Sequence, residues 1–380
     1  MYWPPGPQSP YAALFWPALA AASASEIASF AAAQLLTLAV DAGEDHATEE
    51  PEGVTPSKIV LELNTVRLRD FSRAGAGVAT LLCVPFALHG AAVADLADEH
   101  SLVATLLAAG IDRLFLAGWR RATPQMRFLG IDAYLAELNV LVDHIGGAVD
   151  LVGLCQGGWL SLLYAARFPD KVRKLVMAGA PVDIAAQQSG LSVMANTSPL
   201  AIFQGLVNAG DGRVIGRHIA RLWGTDHPDA TDIRRSLQTP EPIGSPEFAR
   251  LEAIFNDWNS WTLDLPGTYY LEVIEKLYKR NELVAGAFVA LGQTVDLTRL
   301  ELPIYLLAGD ADEVIAPGQL FALARLAATR PEDVVCELVP SDHLGLFMGK
   351  RVLEQHWPGI VRWMKQIHPA PDDAASGPET

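Results

Sequence analysis

The stretch Gly153-Leu154-Cys155-Gln156-Gly157-Gly158 constrains this chain more than any other. An apolar run, residues 149–152, leads into it, and a helical pattern, residues 159–168, leads out. A strand that turns into a helix within so few residues needs a bend too tight for side chains beside its apex, and glycine supplies it. The apex residue here is a cysteine. A thiol lifted out of a sheet in this way is a candidate nucleophile, because it attacks esters and thioesters well and leaves readily from a thioester. The chemistry indicated is acyl transfer. Cys83 (run 79–84) and Cys336 (run 334–339) lie inside apolar stretches and read as strand residues facing a core.

A nucleophile on such a turn works with an acid and a histidine that follow it in the chain. Residues 304–308 form a short apolar run, and Gly309-Asp310-Ala311-Asp312-Glu313 follows it. A carboxylate just past a buried strand stands at the sheet edge where α/β sites collect. Asp312 is the candidate acid. Asp310 comes early enough to cap a turn, and Glu313 reads as facing solvent. The next apolar run, residues 334–340, leads to Ser341-Asp342-His343. His343 is the candidate base, whereas His46, His227 and His368 lie in polar stretches. The base would take the thiol proton while the acid holds the imidazole tautomer. Two backbone N–H groups are expected to face the oxyanion. One is that of Gln156, next to the nucleophile. The other belongs to the loop after run 79–84, where His89-Gly90-Ala91 points to Gly90 and Ala91.

From residue 58 onward apolar β-like runs alternate with helical patterns, including the 3.6-residue periodicity of Tyr134, Leu138, Leu141 and Val142. Such alternation predicts βαβ units and a mostly parallel sheet. From about 184 to 297 the alternation stops, and the chain reads as helical, with Trp223, Trp258, Trp261, Tyr269 and Tyr270 as a large aromatic load. The expectation is an α/β-hydrolase fold with a core of residues 58–183 and 298–368 and a helical cap at 184–297. Residues 369–380 read as a disordered tail.

A net charge of −16 offers nucleic acid no basic footprint. Three cysteines without framework spacing suit a reducing cytoplasm. No metal-ligand cluster, P-loop or dinucleotide fingerprint is readable, so no cofactor is expected. Residues 1–57 read as an apolar helical segment followed by an acidic, Pro-containing linker from Asp41 to Ser57. Residues 1–40 carry no Lys or Arg, so the basic start of a secretory signal is missing. Their apolar part, 17–40, fits a helix packed on the body or on a partner, an interfacial helix, or a membrane span.

Residues 151–184, LVGLCQGGWLSLLYAARFPDKVRKLVMAGAPVDI, closely resemble the nucleophile region of polyhydroxyalkanoate synthases, above all the catalytic subunit of the two-component class. The G-x-C-x-G-G box with Gln after Cys, and Pro181-Val182-Asp183 after the next strand, carry the likeness. Weaker matches include Asp95-Leu96, residues 130–134 and residues 277–283. The resemblance implies Cys155, Asp312 and His343 as the triad of an acyltransferase that draws 3-hydroxyacyl groups from CoA thioesters. It also implies a second subunit or a homo-oligomer, and a polyester granule surface as a place of work. The sequence departs from the family's pattern at His89 (usually Asn), at Gly118 before Trp119 (usually Asp) and at Asp342 before the base (usually Gly). A Cys-dependent hydrolase of the same family, a polyester depolymerase or acyl thioesterase, is the alternative reading.

Overall fold

The computed structural model of the chain describes residues 49–367, apart from 74, 76 and 224–227. Eight strands form one sheet. They are β1 Lys58–Glu62, β2 Val66–Asp70, β3 Thr80–Cys83, β4 Leu114–Trp119, β5 Val149–Leu154, β6 Val172–Ala178, β7 Ile304–Gly309 and β8 Val334–Val339. Their spatial order is β1-β2-β4-β3-β5-β6-β7-β8. The pairs β1/β2 and β2/β4 are antiparallel, and the other neighbours are parallel. Inner strands are covered on both faces, which is why they read as unbroken apolar runs rather than alternating ones. All residues of β3, β4, β5 and β7 are buried.

Helices α1 Leu102–Ala108, α2 Ile131–Ile145 and α3 Gln156–Arg167 pack on this sheet. The pattern in α2 places Ile131, Tyr134, Leu135, Leu138, Leu141, Val142 and Ile145 on one buried face, roughly 1.5–3 kcal/mol for each large side chain. Its first N–H, on Ile131, donates to Glu272 Oε2 at 2.7 Å, so the insertion caps a helix of the core. Gly146, at φ 80°, ends α2.

Between β6 and β7 the described chain is mainly helical, with two short strand pairs. It contains α4 Gly190–Thr197, α5 Leu200–Ala209, α6 Gly216–Trp223, α7 Ala230–Leu237, α8 Pro246–Ser260 and α9 Gly267–Glu272. The last runs straight into a π-helix, Val273–Lys279. Asp183 of the Pro-Val-Asp motif ties the start of this insertion to its later part and to the helical stretch after β7. Its carboxylate accepts from Asn281 Nδ2 at 2.9 Å and pairs with Arg325 at 2.5 Å.

Two readings need correction. Cys336 is exposed, not core-facing. β8 is the outer strand of the sheet, and an apolar run alone does not tell an edge strand from an inner one. The stretch read as a linker up to Ser57 is fastened to the body from Glu50 onward. Thr55 donates from N and Oγ1 to the buried Asp95 at 2.9 and 2.7 Å, and Glu50 accepts from Ala91 N–H at 3.4 Å. These partners lie about 40 residues away, so local composition could not reveal them. The apolar N-terminal segment and the C-terminal tail lie outside the described residues. Among the described residues no helix is long and apolar enough to cross a membrane.

Candidate active site

Cys155, the candidate nucleophile, stands where the strand order reverses. β3 is followed in the chain by β4 on one side, while β5 lies on its other side, and the carboxyl ends of strands at such a point form a crevice. Cys155 follows β5 directly, with φ 48° and ψ −117°, and precedes the first residue of α3. That backbone is strained for a residue with a Cβ, by about 1–3 kcal/mol. The surroundings hold it in place. A Cβ on Gly157 would lie 2.1 Å from the Cys83 carbonyl oxygen, and one on Gly153 would lie 2.5 Å from Gly158 Cα. The glycines therefore let α3 seat against the end of β3.

Asp312, after β7, and His343, after β8, meet at this point. Oδ2 of Asp312 lies 2.7 Å from His343 Nδ1. Its Oδ1 accepts the N–H groups of Val314 and Ile315 at 2.9 and 2.8 Å, and the carboxylate is fully buried. The Cys155 sulfur is near enough to the imidazole to act on its charge. Burial is the largest influence on its charge and favours the neutral ring. The Asp312 carboxylate and the Cys155 sulfur together outweigh it and hold the imidazole well above its usual pKa. Phe347 meets the ring edge-on at 5.3 Å. Asp310 does not cap its own turn; its Oδ1 accepts Ser341 N–H, 31 residues on, at 3.2 Å, and Glu313 is exposed.

The expected oxyanion donors fall in different places. Gln156 N–H sits at the N-terminus of α3, with no acceptor among the described residues. Its side chain is locked between Tyr278 Oη, 3.1 Å from Nε2, and the Trp159 indole N–H. Gly90 and Ala91 face elsewhere. Ala91 N–H turns to Glu50, and a Cβ on Gly90 would lie 2.7 Å from both Glu50 Oε1 and the Trp261 ring. His89 packs on Trp258 at 4.4 Å, and its Nδ1 lies 3.1 Å from the Trp261 carbonyl oxygen. Burial drives its pKa down to about 4, so the ring is neutral. The residue 88–91 loop therefore lines the cap. The part of the chain that abuts the nucleophile turn is earlier, at Cys83 and Val84, whose carbonyl oxygens approach Gly157. Phe86 follows two residues on, and its N–H has no acceptor among the described residues. Trp119 Nε1 pins this bend by donating to Val84 O at 2.8 Å. Asp342, the residue before the candidate base, is committed to other partners. It accepts from Ser236 Oγ on α7 at 2.7 Å and from Gly345 N–H at 2.8 Å.

Cys155 is only 8 % exposed, and an aromatic cluster draws on the elements around its turn. Phe86, Tyr134 and Tyr269 cluster with centroids 4.6–5.0 Å apart, and Trp159 stacks on Tyr269 at 6.4 Å. Of the aromatic residues singled out in the insertion, Trp258, Trp261, Tyr269 and Tyr270 are buried, and the Trp223 side chain lies outside the described residues. A cavity of about 920 Å³ lies at the other end of the sheet, between Asp150, Lys174 and Arg299. It is lined by the starts of the strands, far from the triad, and takes no part in this chemistry. Among the described residues no three His, Cys, Asp or Glu side chains stand together to hold a metal.

A poly(3-hydroxyalkanoate) polymerase subunit PhaC from Synechocystis sp. is 30% identical to this chain over 291 residues, 72% of this chain and 74% of that protein. The chain belongs to the poly(3-hydroxyalkanoate) polymerase family. That family's members are acyltransferases, and a second, the polymerase subunit PhaC of Haloferax mediterranei, is 26% identical over 88% of this chain and 68% of its own length. The family described as PHB de-polymerase C-terminus matches residues 244–368 of this polymerase-family chain. In fold the chain is similar to a hydrolase from Pseudomonas aeruginosa, with a TM-score of 0.52 at 14% identity, covering 82% of this chain and all of that one. The sheet is thus that of the α/β-hydrolases. The family resemblance of residues 151–184 is matched by a likeness that runs through most of the chain.

Proposed function

We propose that this chain carries 3-hydroxyacyl groups on Cys155 and transfers them from CoA thioesters to the hydroxyl of another acyl unit, extending a polyester. The observation that supports it most is the cysteine at a strained strand–helix turn, beside an imidazole that a buried carboxylate orients. In the first step the Cys155 sulfur bonds to the thioester carbonyl carbon, and its proton moves to His343 Nε2. The oxyanion that forms is met by the N–H groups of Gln156 and Phe86, at the positive end of the α3 dipole. Collapse breaks the carbon–sulfur bond to CoA, and the CoA thiolate takes the proton from His343. In the second step a 3-hydroxyl gives its proton to His343 and bonds to the acyl carbon. Cys155 then leaves and recovers its proton.

Hydrolysis is the second reading, with water in place of the hydroxyl, and two observations favour it. The matched C-terminal family carries a depolymerase description, and His89 stands where polymerases usually have Asn. We hold transfer ahead of it because Asp342, one of the three departures from the family's pattern, is tied to α7 and leaves the triad undisturbed. Incubation with 3-hydroxybutyryl-CoA separates the two: transfer yields polymer and free CoA, and hydrolysis yields 3-hydroxybutyrate and free CoA. Similar proteins are named as subunits, so we also infer a second subunit, with work at a granule surface in the cytoplasm. Co-sedimentation with polyester granules tests the latter.

A further inference from the structure

Tyr269, on α9, is 2 % exposed, and its hydroxyl has no hydrogen-bond partner among the described residues. An unpaired buried hydroxyl destabilises a fold, and phenylalanine would fill the same space without one. Tyr134 and Tyr270 also carry unpartnered buried hydroxyls. Of the three, only Tyr269 interacts electrostatically with Cys155. Its ring is held by Phe86 at 5.0 Å, Tyr134 at 4.9 Å and Trp159 at 6.4 Å. These neighbours come from the bend after β3, from α2 and from the first turn of α3, so the ring sits over the nucleophile turn. Tyr278 also lies beside Cys155, but its oxygen already accepts from Gln156. Burial first, then the neighbouring tyrosines and thiols, keep the Tyr269 phenol far above its usual pKa, so it stays protonated and can donate.

We infer that the Tyr269 hydroxyl donates to the 3-hydroxyl oxygen of the acyl group on Cys155 and so selects 3-hydroxyacyl chains over plain acyl chains. This rests on the acyl-transfer reading above. The thioester carbonyl is served by backbone N–H groups, and the next polar atom along a 3-hydroxyacyl chain is the 3-hydroxyl. The apolar remainder of the acyl chain suits the surrounding rings. A site built to hydrogen-bond a hydroxyl rejects the analogue that lacks it, since a buried polar group is then left unpaired.

The test compares wild type with Tyr269→Phe, timing single-turnover CoA release from 3-hydroxybutyryl-CoA and from butyryl-CoA. Wild type should prefer the hydroxylated substrate. The variant should lose that preference by about 10- to 100-fold, keep its butyryl rate within about threefold, and melt no lower than wild type. An unchanged preference overturns the inference. So does an equal loss on both substrates with a lowered melting temperature, which marks a packing role. If wild type is acylated by neither ester, the acyl-transfer reading itself fails and the inference falls with it.

Discussion

Replacing Asp312 by asparagine tests the assignment of the acid, because both of its oxygens are committed. Oδ2 takes the imidazole N–H at 2.7 Å, and Oδ1 takes two backbone N–H groups at 2.9 and 2.8 Å. All three contacts need an acceptor, and an amide supplies one acceptor and one donor. If the new NH2 faces Nδ1, the ring adopts the tautomer whose Nε2 carries the proton and cannot take one from Cys155. If it faces the loop, it confronts two backbone donors in a fully buried place. Loss of tautomer control in a serine triad costs on the order of 10⁴ in rate, or about 5.4 kcal/mol of barrier. We expect Asp312→Asn to slow acylation of Cys155 by ~10³–10⁴ on that basis. Asp310→Asn should cost less than about threefold, because Asp310 accepts one N–H, from Ser341 at 3.2 Å, and an amide oxygen can do the same. The assay is the rate of acyl mass gain on the intact protein after mixing with 3-hydroxybutyryl-CoA. Similar small losses in both variants would mean that the acid lies elsewhere.

Cys155→Ala should abolish acylation and Cys155→Ser should leave only a trace of it. Because Cys336 is exposed, alkylation should be followed in Cys336→Ala, where peptide mass spectrometry should find Cys155 labelled and Cys83 untouched. Burial pushes the Cys83 thiol up to about 12, so it offers no thiolate, and prior labelling of Cys83 would contradict the assignment. The raised His343 imidazole adds stability that is complete below the ordinary imidazole pKa of about 6.5 and fades as pH rises through the raised value. In Asp312→Asn that loss should move to lower pH, read as a downward shift of the His343 titration by NMR; an unmoved titration would disprove the coupling. Gly157→Ala should fail to fold or melt far below wild type, since the added methyl meets backbone oxygen at 2.1 Å; wild-type melting would refute the packing described. A chain starting at residue 49 should melt like the full chain and differ only in sedimentation. One starting at residue 56 should melt about 2–8 °C lower, having lost the Thr55 bonds to Asp95.

Local signals carried much of the site. The cysteine turn was readable because its glycines cluster within six residues, although the backbone that Gly157 meets, at Cys83, lies far off in the chain. Asp312 and His343 were readable because one follows a buried strand and the other an edge strand, and both strands show as apolar runs. What escaped was set by distance in the chain. Glu50 turns Ala91 N–H aside from 41 residues away, and no local pattern marks that contact. Phe86 becomes a candidate donor only through its place beside Val84, and a backbone N–H leaves no trace in side-chain type. Tyr269 looked like any helical aromatic residue, since its orphaned hydroxyl depends on rings from three separate elements. Cys336 misled because edge and inner strands share an apolar run and differ only in their neighbours.

The central claim is that Cys155 carries the acyl group. One turnover with 3-hydroxybutyryl-CoA labelled in the acyl chain, quenched in acid and digested, tests it directly. The label should sit on the peptide containing Cys155, be released by hydroxylamine as a thioester is, and be absent in Cys155→Ala. Label on another residue, or turnover that persists in Cys155→Ala, would contradict the account.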